Sequence, residues 1–90
     1  MSFYVYIIET VKSKLYKTYV GYTVDLKKRL NNHNQNKGAK STKGHKWKLI
    51  YKKKFISKSE AMSYEYKLKK DRKFRKKIID KIIKWKKKLL

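Results

Sequence analysis

Two short tyrosine segments, Tyr4-Val5-Tyr6 and Tyr19-Val20-Gly21, constrain this chain more than any other feature. Each lies in a run of aromatic and β-branched residues, Phe3 to Glu9 (FYVYIIE) and Tyr16 to Thr23 (YKTYVGYT). Runs this short and this rich in Tyr, Val and Ile favour strands over helices. The polar stretch Val11 to Leu15 between them reads as a turn, which makes the pair an antiparallel hairpin. On the first strand Tyr4, Tyr6 and Ile8 share one face, and Phe3, Val5 and Ile7 share the other. On the second, Tyr19 and Gly21 share a face, and a glycine inside a strand predicts a bulge or a close backbone approach.

Helical spacing follows. Thr23 reads as an N-cap with Asp25 in the first turn, for a helix from about Val24 to His33. Leu26 and Leu30 form its apolar stripe, and Arg29 and His33 form a second i, i+4 pair beside it, able to point towards the rim of the sheet. Asn34 to Lys46 has no periodicity and reads as an exposed loop. Its Lys37, Lys40, Thr42 and Lys43 suit phosphate contacts, although a merely solvated loop fits the same composition. Trp47 to Phe55 reads as a third strand with partial alternation.

Ser57-Lys58-Ser59-Glu60 is a capping box that starts a helix running to about Lys70. Ala61, Glu65 and Leu68 then fall on one face, so an acid stands where the pattern calls for an apolar residue. Either Glu65 pairs with a lysine at the edge of the core, or it holds a metal ion or does chemistry. Asp71 can cap a last helix, in which Phe74, Ile78, Ile82, Trp85 and Leu89 recur at helical spacing and Ile79 and Ile83 widen the stripe. Packing on the sheet with a basic face to solvent is the simplest role for it. A basic amphipathic helix can also lie on a membrane. The expected fold class is α+β: one domain over residues 1–90, a small three-stranded antiparallel sheet flanked by helices, with its core in about 3–75 and a basic C-terminal helix over about 72–90.

Ninety residues without a cysteine leave one small core and no disulfide or cysteine-based zinc site to brace it. No apolar run approaches the ~20 residues of a membrane span. The first residues lack the charged and apolar regions of a secretory signal, so a cytoplasmic, reducing compartment is the expectation. Twenty-eight basic residues face six acidic ones, a net charge of +22. Such a chain repels itself and is stabilised by a polyanion, with nucleic acid the first candidate and an anionic membrane surface the second. Contacts to about six to eight phosphates would give log K against log salt a slope of roughly −5 to −7. Compositional drift towards lysine explains part of the excess but not the scarcity of acids. It also singles out the three arginines, Arg29, Arg72 and Arg75, and Arg29 first among them, as places where a planar fork is needed.

Hydrolysis of a phosphodiester needs an activated nucleophile, charge stabilisation on the phosphoryl oxygens and help for the leaving oxygen. A tyrosine is a poor base unless positive charge lowers its pKa from ~10, and this chain has positive charge in abundance. An arginine can fork two phosphate oxygens. One carboxylate can hold Mg²⁺ or Mn²⁺ when waters and substrate oxygens complete the shell.

At these residues the chain resembles the GIY-YIG nuclease superfamily. Tyr4-Val5-Tyr6 stands at the first motif and Tyr19-Val20-Gly21 matches the second. Arg29 and His33 in LKKRLNNH match the helix that carries arginine and histidine, and Glu65 in SEAMSYEY matches the metal-binding glutamate. Tyr19 to His33, then Lys37-Gly38-Ala39, Thr42 and Trp47, are similar to small single-domain bacterial members and to the nuclease domain of the eukaryotic endonuclease that cuts branched DNA. The resemblance implies roles. Tyr6 would be the general base and Tyr19 would orient the phosphate or the water. Arg29 would stabilise the pentacovalent charge, with His33 hydrogen-bonded nearby. Glu65 would ligate one Mg²⁺ or Mn²⁺ beside the leaving 3′ oxygen.

The chain departs from the family in three ways. Tyr4 replaces the first motif's glycine, the late asparagine of some members has no counterpart, and no cysteine-rich zinc domain or separate recognition domain is present. Those absences argue against sequence-specific cutting and favour recognition of branched, flapped or nicked DNA by shape. The expectation is therefore a metal-dependent endonuclease in DNA repair or recombination, with RNA as a further possible ligand and the oligomeric state open between monomer and homodimer. Two alternatives from other classes are a nucleic-acid-binding module without turnover and a basic structural protein whose C-terminal helix carries the affinity.

Overall fold

β1 (Phe3–Thr10) is the middle strand of an antiparallel sheet, with β2 (Thr18–Thr23) on one side and β3 (Trp47–Phe55) on the other. This computed structural model describes residues 2–88, so Leu89 lies outside the described residues. A central strand is covered on both faces, which is why Val5, Tyr6, Ile7 and Ile8 are all buried despite their alternation. Val5 and Ile7 join Val20, Ala61 and Leu68 in one apolar cluster. Tyr6 and Ile8 join Trp47 in a second, against which Tyr19, Leu26 and Leu30 pack.

The hairpin places Tyr6 opposite Gly21 and Ile8 opposite Tyr19. Gly21 is the close backbone approach that its position predicts. A Cβ there would stand 2.2 Å from the Tyr6 phenol oxygen, so only glycine leaves room for that ring. Against β3, Ile7 faces Tyr51 and Ile8 faces Leu49, and Ile50 is the extra residue of a β-bulge. The bulge sends Tyr51 to the apolar cluster and Leu49 to the other, which accounts for the partial alternation of β3. In the apolar cluster the Tyr51 and Tyr64 hydroxyls hydrogen-bond to each other at 2.7 Å.

α1 (Leu26–Asn34) starts later than its sequence pattern predicts. Thr23 is still paired in β2, and Asp25 is the N-cap, its side chain accepting from Lys28 N at 3.1 Å. The Thr23 hydroxyl instead accepts from Asp25 N at 3.1 Å and shapes the turn. The following loop carries a short 3₁₀ turn, Lys40–Thr42, and is tied down by polar side chains. Asn34 exchanges two hydrogen bonds with the Trp47 backbone, at 3.1 and 2.6 Å, and the Trp47 indole donates to Thr42 O at 2.9 Å.

α2 (Lys58–Lys70) begins at the Ser57 cap, whose hydroxyl accepts from Glu60 N at 3.4 Å, and buries Ala61 and Leu68 against the sheet. α3 (Arg72–Lys88) begins where Asp71 accepts from Phe74 N at 3.0 Å. Arg75 reaches back to Leu68 O and Lys69 O, at 3.0 and 2.8 Å, and satisfies carbonyls left open at the end of α2. Phe74, Ile78 and Ile79 pack on the apolar cluster. The far end of the helix departs from the expected stripe: Trp85 is 63% exposed, and Lys86 meets Glu9 at 3.7 Å. Among the described residues no helix is long and apolar enough to cross a membrane.

Candidate active site

β1, β2 and α1 bring four side chains to one place. Tyr6 comes from the middle strand, Tyr19 from its neighbour, and Arg29 and His33 from successive turns of α1. The rings form a triangle, with centroids 6.4 Å apart for Tyr6 and Tyr19, 5.9 Å for Tyr6 and His33, and 5.1 Å for Tyr19 and His33. Arg29 Nε donates to the Tyr6 hydroxyl at 3.3 Å, and that hydroxyl lies 2.8 Å from His33 Nε2. Tyr6, at 2% exposure, and His33, at 0%, are buried, whereas Tyr19 and Arg29 are half-buried at the surface.

Burial dominates the electrostatics. It pushes the Tyr6 phenol up to about 12, overcoming the opposing effect of the Arg29 hydrogen bond and charge, while Glu65 adds a smaller upward push. The abundance of lysine therefore does not lower the phenol's pKa, contrary to what composition predicts, because Arg29 is the cation that reaches a buried oxygen. Burial, and then the Arg29 charge, bring His33 down to about 4, so the imidazole is neutral at physiological pH. The hydrogen bond to Tyr6 holds Arg29 more firmly protonated, against the effect of its own partial burial.

Glu65 approaches from α2, which packs on the opposite face of the sheet. It pairs with Lys69 at 3.7 Å, and the same ammonium lies 5.9 Å from the centre of the Tyr19 ring. The edge pairing that the sequence allows for Glu65 is thus present, and the lysine it pairs with is the one that faces the Tyr19 ring. Lys69 also lines a shallow groove of about 220 Å³ with Thr18, Tyr19, Val20 and Arg75. Among the described residues no three His, Cys, Asp or Glu side chains assemble to hold a metal ion. The donor set is then one carboxylate, which fits a hard divalent cation that keeps waters and takes substrate oxygens as its remaining ligands.

The loop residues divide. Lys37, Lys40 and Lys43 are exposed. Thr42, read from sequence as a phosphate contact, is fully buried and cannot touch a ligand. Its hydroxyl donates to Ala39 O at 2.8 Å and lies 2.9 Å from His33 Nδ1. Gly38 closes over the same ring, where a Cβ would stand 2.4 Å from Nδ1. Sequence reasoning missed Lys69 as a neighbour of the site, although its i+4 spacing from Glu65 is the signal that finds it. His45 stacks edge-on against Trp47, with centroids 5.9 Å apart, and takes no part in the cluster.

Comparison with known proteins identifies the family. The pattern of the GIY-YIG catalytic domain matches residues 2–78. A UPF0213 protein of Oceanobacillus iheyensis is 48% identical over 67 residues, which cover 73% of this chain and 74% of that protein. A UPF0213 protein of Streptococcus agalactiae is 48% identical over 63 residues, covering 69% of this chain and 68% of its own. The solution NMR structure of a UPF0213 protein from Bacillus halodurans superposes with a TM-score of 0.53 at 36% identity, over 89% of this chain and 84% of that one. The family pattern spans most of the chain and the relatives match it over two thirds or more of its length: the chain belongs to the GIY-YIG family.

Proposed function

We propose that this protein is a metal-dependent endonuclease that hydrolyses phosphodiester bonds in branched, flapped or nicked DNA, in repair or recombination. The observation that carries the reading is the hydrogen-bonded Arg29–Tyr6–His33 cluster next to Tyr19, with Glu65 joined to the Tyr19 side through Lys69, on a chain of net charge +22. Lys37, Lys40 and Lys43 would hold the strand through its phosphates, and Arg29 would fork the scissile group.

A phenol with a pKa near 12 does not need to become a free phenolate here. As the water oxygen bonds to phosphorus, the water proton passes to the Tyr6 oxygen while the Tyr6 proton passes to His33 Nε2. The bond from phosphorus to the leaving 3′ oxygen breaks, and that oxygen takes a proton from solvent. An anionic phosphate at Arg29 offsets one of the two causes that depress His33, so substrate makes the imidazole a better proton acceptor. Tyr19, half-exposed next to His33, would orient the phosphate or the water. Glu65 would hold the divalent ion, which supplies charge stabilisation at the leaving oxygen when bound.

The test uses purified protein with Mg²⁺ or Mn²⁺ and flap, fork and four-way substrates. Native protein should nick them. Tyr6→Phe, Arg29→Ala and Glu65→Gln should each abolish nicking while binding persists, and nicking that survives all three rejects the assignment. A second reading, a basic nucleic-acid-binding module without turnover, draws on the Glu65–Lys69 pair, which occupies the one carboxylate of the site. It expects salt-sensitive binding and no cleavage with either metal.

A further inference from the structure

We propose that Thr42 is the positioning residue that fixes which nitrogen of His33 carries the proton, and so keeps the other nitrogen free to accept from Tyr6. The proposal rests on the nuclease reading for its purpose, but its geometry stands apart from it. Five groups form one hydrogen-bonded chain: Arg29 Nε, the Tyr6 hydroxyl, the His33 imidazole, the Thr42 hydroxyl and the Ala39 carbonyl. The two ends allow a single direction. A guanidinium can only donate, and a carbonyl can only accept.

The Thr42 hydroxyl has one proton, and Ala39 O takes it at 2.8 Å. The Thr42 oxygen can therefore only accept from His33 Nδ1, which must be the protonated nitrogen. A neutral imidazole has one N–H, so Nε2 bears a lone pair and faces the Tyr6 hydroxyl at 2.8 Å. That hydroxyl receives Arg29 Nε and gives its own proton to the histidine. With the other tautomer, Nε2–H and the Tyr6 oxygen could still pair, but the phenol would have no acceptor for its proton and the relay would be blocked.

Thr42 is itself held rigidly. Its N–H donates to Ala39 O at 3.0 Å, its carbonyl accepts from the Trp47 indole at 2.9 Å, and its side chain is fully buried. Gly38 presses on Nδ1 from the same loop, so the ring cannot be approached there by a water instead. The exposed loop lysines and the buried tautomer switch thus share a stretch of seven residues, 37–43.

The test is nitrogen-detected NMR of the imidazoles in the full chain at neutral pH, paired with single-turnover nicking. The chain has two histidines, so His45 serves as an internal reference. Native His33 should show protonated Nδ1 and bare Nε2. Thr42→Val keeps the shape without the acceptor. It should move His33 to the other tautomer or a mixture and slow nicking by about 10²-fold, the contribution of one positioned acid–base group, at unchanged DNA affinity. Thr42→Ser should restore both the native spectrum and the rate. A native His33 protonated at Nε2 overturns the proposal, as does a folded Thr42→Val chain with native tautomer and rate. If valine prevents folding, the native and serine spectra still decide the assignment. If the native chain cleaves no substrate, the nitrogen spectrum decides it too, and only the nuclease reading falls.

Discussion

On one face of β1, Val5 and Ile7 meet Val20, Ala61 and Leu68 in a cluster of apolar side chains; on the other, Tyr6 meets His33, with Thr42 behind it, in a cluster held by hydrogen bonds. The first is a packing problem. Its members are interchangeable within limits of volume and shape. The second is an accounting problem, in which each buried donor needs one acceptor; among the described residues no buried side-chain nitrogen or oxygen is left without a partner. One strand alternates between the two, so stability is concentrated on the face towards α2 and chemical specificity on the face towards α1.

The sharpest way to separate the faces is to remove volume from the apolar one. Leu68 is fully buried, and Leu68→Ala should destabilise by about 2–5 kcal/mol in denaturant unfolding. The nicking rate of the molecules that remain folded should stay near native. A proportionate loss of rate at full folding would show that the two faces are not independent.

Acid should act on the other face. The folded pKa of His33 lies near 4, below its ordinary 6.5, so the unfolded chain binds this proton first as pH falls. The stability at stake is fully present above about pH 6.5 and is lost progressively towards pH 4, on the order of 3 kcal/mol at most. Urea unfolding of native and His33→Gln chains across that window checks this, since the variant should lack that part of the slope.

Gly21→Ala should give a smaller loss of stability, about 1–3 kcal/mol, because its Cβ would collide with the Tyr6 hydroxyl. Its effect on nicking should be far larger than that of Leu68→Ala at equal stability, and an active Gly21→Ala chain would break the link between phenol placement and chemistry. Smallest of all, Lys43→Ala should leave unfolding unchanged and reduce the salt slope of DNA binding by about one. A titration of binding against salt reads this directly.

Much of the fold was legible because its signals are local. The tyrosine-rich strands, the Ser57 cap and the tight fit at Gly21 follow from a few neighbouring residues. The bulge at Ile50 was not, because it depends on which face each residue of β3 must serve once β1 lies beside it. The burial of Thr42 is hidden for a related reason. A threonine among lysines and glycines looks solvated, and its burial is decided by His33 and Trp47, which the fold brings over it. Trp85 matched the helical stripe, yet α3 carries it clear of the cluster that packs Phe74 and Ile78. For the site, spacing placed Arg29 and His33 on adjoining turns, and Glu65 stood out as an acid on an apolar face. The raised pKa of Tyr6 was hidden, because charge can be counted in a sequence while desolvation depends on the assembled site.

Single-turnover nicking of branched DNA by native and Tyr6→Phe protein tests the central claim most directly. The substitution removes one oxygen and keeps the ring that fills the core. The account predicts a fall of about 10²- to 10⁴-fold in rate, with DNA affinity close to native. Cleavage by the phenylalanine chain at the native rate would contradict it.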